Sequence, residues 1–219
     1  MQCAFTLTGL TPLLMHADHV LAADELVAWR KSPRNKSISV PGDDRSPPWT
    51  WLTYLHHDDE HVVVPHEYLM TALRSAGAKI SAKGKSTFKS LSQSGIVMTA
   101  DAFPLLVGNG KPIPMASITP FRDEESFTTH LHGVRDLGFR LDVRRAKVGT
   151  SKHVRVRPCF REWSVSGTLL VTEPAITHDV LAQMLEIAGS KVGIGDWRPS
   201  APQSPGNHGL FTARIDRCK

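Results

Sequence analysis

Residues 161–217 read REWSVSGTLLVTEPAITHDVLAQMLEIAGSKVGIGDWRPSAPQSPGNHGLFTARIDR, and this stretch decides the fold. Arg161–Val171 predicts a strand. Thr177 stands before HDVLAQMLEIAGSKV, where Val180, Leu181, Met184, Leu185 and Ile187 recur at helical spacing, so it predicts an N-cap and a helix. Gly193-Ile194-Gly195 ends that helix. A Pro-rich loop follows, and GLFTARIDR at 209–217 predicts a last strand. The unit is β-α-loop-β.

Working outward, Leu137–Val143 and Val154–Arg157 predict two strands flanking Lys147–Lys152, with VGTS at 148–151 as the turn. Residues 108–130 predict a loop broken by Pro and Gly. Ile96–Val107 predicts one or two strands. Ser81–Ser94 is rich in Lys and Ser and predicts a short helix or ordered loop anchored by Phe88 and Leu91. Pro65 opens a helix whose Tyr68, Leu69, Leu73 and Ala76 have the right period. Trp49–Tyr54 and His61–Val64 predict two strands around the acidic turn HHDDE. The stretch 31–48 predicts an exposed loop within an irregular region, 13–51, that holds one short helix at 22–30. Residues 2–10 alternate and predict a core strand. The order β…α…β–β–α–β is the ferredoxin-like, or split βαβ, order. The expected fold class is therefore α+β: a ferredoxin-like (RRM-like) palm with long inserted loops and a basic β-hairpin. It forms a single domain over 1–219, with insertions at about 15–48 and 108–135.

The chain has 219 residues, 41% hydrophobic and 21% charged, which is globular composition. No apolar run approaches the roughly 20 residues that cross a bilayer, so no membrane partner is expected. The N-terminus reads as mature protein rather than a signal peptide. Cys3, Cys159 and Cys218 are widely spaced and odd in number. That pattern predicts unpaired thiols and a reducing, cytoplasmic location.

Net charge is +5. From Arg140 to Arg161 eight basic residues (Arg140, Arg144, Arg145, Lys147, Lys152, Arg155, Arg157, Arg161) meet one acid, Asp142, so that segment carries +7 and the rest −2. Concentrated positive charge is the footprint of a polyanion site, since neutralised phosphates release counterions. Val143, Val148, Val154 and Val156 are expected to face inward, leaving Arg144, Arg155 and Arg157 to face phosphates. Among aromatic residues, Trp49, Trp51, Phe121, Phe127 and Trp197 are candidates for stacking on bases.

Gly193, Gly195, Trp197 and Arg198, with Gly206 and Gly209 beyond, form a glycine loop between a helix C-terminus and a strand. Such a loop either caps the helix or offers N–H groups as an anion nest. A dinucleotide site needs its glycines before a helix N-terminus, so that reading fails. No nucleophile elbow, HExxH or GK[ST] phosphate loop is present, and neither catalytic residues nor a cofactor are expected. His56, His57, Asp58, Asp59, His61 and His66 read as a polar turn rather than a metal site.

The helix, the VGIGDWRPS loop, Gly206 and Gly209, and the strand with Phe211 resemble the C-terminal glycine-rich loop of the RAMP superfamily. The opening TLTGLTPLL is similar to the start of the backbone subunit of CRISPR effector complexes, the Cas-seven type. The likeness covers about 45 C-terminal and 12 N-terminal residues. In this chain Asp196-Trp197-Arg198-Pro199 replaces a more basic, more glycine-rich run. The resemblance implies an RNA-binding subunit for antiviral defence that polymerises head-to-tail along guide RNA beside other effector subunits. Arg140, Arg144, Arg145, Lys147, Lys152, Arg155 and Arg157 would grip phosphates, with Gly193, Gly195, Trp197 and Arg198 lining the same groove. The loops at 15–48 and 108–130 would meet the neighbouring copy and need no core of their own. Relatives place a cleavage-promoting aspartate after the first strand, where Asp18 and Asp24 stand here. Alternatives are a viral or mobile-element protein binding single-stranded DNA or RNA, a metal-independent RAMP-type endonuclease using His16 or His19, and a protein-binding inhibitor.

Overall fold

The computed structural model describes Met1–Asp216 and Cys218, with Val148 described for its backbone alone. The expected inward side chain of Val148 and the strand position of Arg217 lie outside the described residues.

In chain order the elements are β1 (Gln2–Gly9), β2 (Leu13–Leu14), α1 (Val20–Lys31), a 3-10 helix (Pro48–Tyr54), β3 (Val63–Pro65), α2 (His66–Gly77), α3 (Lys89–Gly95), β4 (Ile96–Met98), β5 (Ala102–Pro104), β6 (Leu106–Val107), α4 (Met115–Ile118), a second 3-10 turn (Thr119–Arg122), α5 (Phe127–Asp136), β7 (Arg140–Val148), β8 (Ser151–Phe160), β9 (Trp163–Val171), α6 (His178–Ile187), a π-helical turn (Ala188–Val192) and β10 (Phe211–Ile215). The chain is mixed α and β with antiparallel sheets. It forms two compact units: Met1–Leu14 with Val63–Pro112 and Arg161–Lys219, and Met15–Val62 with Ile113–Phe160.

The first unit is built on strands in the order β10-β1-β9-β4, with β6 added on β9. Each neighbouring pair is antiparallel. Alternation decides its faces. Cys3, Phe5 and Leu7 of β1 and Trp163, Val165, Leu169 and Val171 of β9 are buried, whereas Thr6 and Ser166 bond to each other on the open face. Leu69, Ala72, Leu73 and Ala76 of α2 and Leu181, Met184 and Leu185 of α6 bury the helical stripes of this unit. Thr177 caps α6 as expected, its hydroxyl accepting from the Val180 N–H at 3.3 Å.

The second unit departs from the expected coreless loops. It has its own core, centred on Trp51, Leu55, Val134, Phe139, Val156 and Phe160, to which the expected loops 15–48 and 108–130 add buried Met15, Ala17, Ile113, Ile118 and His130. Phe139 stacks on Phe160 at 5.1 Å, and Trp51 lies 5.7 Å from Phe121. Trp49–Tyr54 is a 3-10 helix rather than a strand. Pro48 suits its first position, and the Thr50 and Thr53 hydroxyls donate back to the Pro47 and Thr50 carbonyls. The expected loop 108–130 ends inside α5, which Ser126 caps by accepting from the Thr129 N–H.

Cys3 and Cys218 are disulfide-bonded, against the expected free thiols, and Cys159 alone is free and buried. The reason is topological: β1 and β10 pair antiparallel, with Phe5 opposite Ile215, so the two ends meet. No helix among the described residues is long and apolar enough to cross a membrane.

Candidate nucleic-acid interface

The basic segment forms one long antiparallel hairpin. Arg140–Val148 pairs with Ser151–Phe160 in unbroken register, and Gly149-Thr150 is the turn. That register sorts the cations onto two faces, because side chains alternate along a strand. Arg140, Asp142 and Arg144 share a face with Cys159, Arg157 and Arg155 opposite them. Arg145 and Lys147 share the other face with Val154 and Lys152.

On the first face the protein supplies its own anions. Arg155 Nη1 lies 3.2 Å from Asp44 Oδ1, and Asp44 is only 2% exposed. Asp44 also accepts from the Val156 N–H and the Tyr54 hydroxyl, so a buried carboxylate is fully partnered. Burial, then the Asp44 charge, pushes the Tyr54 hydroxyl up to about 12. Arg144 Nε lies 2.7 Å from Asp142 Oδ2. Arg140 lies against Cys159, whose thiol is pushed up by burial and eased down by Arg140. Of the expected phosphate-facing trio of Arg144, Arg155 and Arg157, two therefore pair with carboxylates of the chain itself: Arg144 with Asp142 and Arg155 with Asp44.

Arg145, Lys147 and Lys152 stand exposed near the turn. No Asp or Glu occurs between Val143 and Arg161. The valines divide: Val156 is fully buried, but Val143 is 41% exposed. The hairpin is braced from the side by the segment 42–44, where Val154 N–H donates to Gly42 O at 2.8 Å and Asp44 N–H donates to Val154 O at 3.0 Å. Asp43 is held below the usual carboxylate range by the Arg45 guanidinium that bonds it. A cavity of about 180 Å³ beside the hairpin is lined by Arg135, Arg140 and Asp142.

The glycine loop belongs to the first unit, and it is knotted on itself. The N–H groups of Gly193, Ile194, Asp196 and Ser200 donate to Ala188 O, Gly209 O, Leu14 O and Val192 O. Of the two readings of this loop, these bonds fit capping, since four of its N–H groups are taken up by carbonyls of the same unit. Arg198 donates to Gly195 O at 2.8 Å and Ser200 Oγ at 3.1 Å. Trp197 stacks on His208 at 5.7 Å and 16°. Gly195 has φ 75°, and a Cβ there would meet Leu14 O at 2.7 Å, so glycine is required by packing. Among the other stacking candidates, Trp51 is core and Trp49 lies beneath Arg122 at 4.1 Å, while Phe121 and Phe127 are half-buried.

HHDDE is the expected polar turn: Asp58 Oδ1 accepts from the Glu60 and His61 N–H groups. Among the described residues no group of three or more His, Cys, Asp or Glu is placed to hold a metal ion. His16 packs edge-on to Tyr54, and His19 Nε2 lies 2.9 Å from Leu55 O. A cavity of about 580 Å³ beside Asp18 and His19 is largely apolar, lined by Leu21, Leu52, Met115 and Ile118. Asp44 was not legible as a functional neighbour of the basic segment, because 111 residues separate it from Arg155. No protein-family model matches the chain, and no curated protein matches it.

Proposed function

We propose that this protein binds single-stranded nucleic acid through its phosphates, as an RNA-coating backbone subunit of the CRISPR-effector kind. The observation that carries the reading is the exposed, acid-free end of the β7–β8 hairpin with Arg145, Lys147 and Lys152. Two further features support it. The strand order β10-β1-β9-β4, with α2 and α6 as the intervening helices, is the order a ferredoxin-like palm requires. The open face of that sheet carries Ala4, Thr6, Thr8, Ser164, Ser166 and Thr168, with no aromatic ring among the described residues. A sheet that reads bases by stacking needs such rings. Grip on the backbone, without base specificity, is what remains. Head-to-tail association along guide RNA, beside other effector subunits, is part of the same proposal.

The test is fluorescence anisotropy with equal-length unstructured RNA and DNA over a salt series. Arg145→Ala/Lys147→Ala/Lys152→Ala should weaken binding about tenfold or more and flatten the log–log salt slope by roughly 2. Arg198→Ala should lower thermal stability and leave the slope unchanged. Tighter binding of RNA than DNA assigns a role to the 2′-hydroxyl; equal binding favours a general single-strand coat. Absence of binding at low salt sinks the proposal.

A further inference from the structure

Outside Arg140–Arg161, the rest of the chain nominally carries −2, but that value hides a second basic segment. Between Glu67 and Asp101 there is no acidic residue, and the stretch holds Arg74, Lys79, Lys83, Lys85 and Lys89. It carries +5. Everything outside the two basic segments then holds 13 basic and 20 acidic residues, −7. The two segments hold a single acid, Asp142, and the other acids are concentrated elsewhere. An ordinary solvated face mixes both signs.

The second segment is ordered. Ala82 N–H donates to Ser86 O at 2.9 Å, Phe88 N–H donates to Ile80 O at 3.1 Å, and Ser81 bridges Thr87 antiparallel. Ile80 and Phe88 are buried and anchor the base of this turn. Gly84 sits at its tip with φ 66° and open space around it, so Lys83 and Lys85 project from a small clipped hairpin. The Ser86 hydroxyl donates to Lys83 O at 2.6 Å and stiffens the tip. Lys79 and Lys89 flank the base, and Arg74 closes the last turn of α2. All five are exposed, and none makes an ion pair among the described residues. Lysine, a point charge on a flexible stem, suits contact with a phosphate chain without reading bases.

We propose that Lys79, Lys83, Lys85 and Lys89, with Arg74, form a second phosphate-binding surface, carried by the sheet-and-helix unit and contacting single-stranded nucleic acid. This rests on the nucleic-acid reading above and adds a contact surface to it.

The experiment is anisotropy of a labelled 30-nucleotide unstructured RNA from 50 to 300 mM KCl. Wild type is compared with Lys79→Ala/Lys83→Ala/Lys85→Ala/Lys89→Ala, with the corresponding Lys→Arg variant, and with the hairpin triple-alanine variant. The lysine-to-alanine variant should bind roughly tenfold more weakly at 100 mM KCl, with a slope shallower by about 2 to 3. The arginine variant should bind as wild type does. Thermal melting should be unchanged in both, since the altered side chains are exposed. An unchanged slope in the lysine-to-alanine variant, with loss in the hairpin variant, overturns this inference and leaves the general reading standing. Failure of wild type to bind RNA overturns both. Wild-type binding to phosphatidylserine vesicles that the alanine variant loses, with RNA binding unaltered, assigns the patch to a lipid surface and overturns it.

Discussion

His130 is fully buried in the second unit, with both ring nitrogens committed. The Trp51 indole N–H donates to Nδ1 at 2.8 Å, so the ring proton sits on Nε2 and donates to Glu124 O at 2.9 Å. A proton on Nδ1 would face another N–H. Burial holds the imidazole below its ordinary 6.5. The unfolded chain therefore takes up the proton first as pH falls. The stability that neutral His130 contributes is complete above about pH 6.5 and fades below it. Urea midpoints at pH 7.5, 6.5 and 5.5 should show this. His130→Gln should cost about 1–3 kcal/mol at pH 7.5 and remove the part of the pH dependence between 6.5 and 5.5 that histidine supplies. Parallel curves for wild type and variant would mean the ring does not titrate with unfolding.

Elements meet most tightly at the glycine loop between α6 and β10. Gly209 has φ 69°, its N–H donates to Pro12 O at 2.8 Å, and its carbonyl accepts from the Ile194 N–H at 2.9 Å. A Cβ there would collide with the Ile194 carbonyl oxygen. Gly84 has nearly the same φ, 66°, but nothing within 4 Å. The pair separates backbone conformation from crowding. Gly84→Ala should cost about 1 kcal/mol, the left-handed penalty alone. Gly209→Ala should cost about 3 kcal/mol or more, because the loop must also open. Chemical denaturation of the two variants reads the difference; equal costs would mean the loop yields freely.

At the scale of the whole chain, the Cys3–Cys218 bond closes a separation of 215 residues. Chain-entropy arguments give about 5 kcal/mol for a loop that long. Thiol titration in guanidinium without reductant should find one reactive thiol, Cys159, and three after reduction. Reduction, or Cys3→Ser/Cys218→Ser, should lower the denaturant midpoint by the same amount. Three thiols without reductant would show that the ends are paired as strands only.

The local patterns were decided by the sequence itself. Thr177 before an apolar 3.6 period fixed α6, and alternation fixed β1 and β9, because caps and periodicity act within a few residues. The VGTS turn and its flanking strands fixed the hairpin, and the charge count marked it as the most basic stretch of the chain. What only the tertiary structure decided depends on partners distant along the chain. Asp44 neutralises Arg155, whereas Arg145, Lys147 and Lys152 stay exposed near the hairpin turn. Leu14 and Gly209 absorb the N–H groups of the glycine loop, so a motif that could have been a nest is a knot. Met15, Ala17, Ile113, Ile118 and His130 are buried, so the two presumed loops contribute to a core. Cys3 finds Cys218 because β1 pairs with β10. Sequence spacing sets which residue types are available. Which charges remain unspent, and which N–H groups stay open, is settled by the long-range contacts that folding forms.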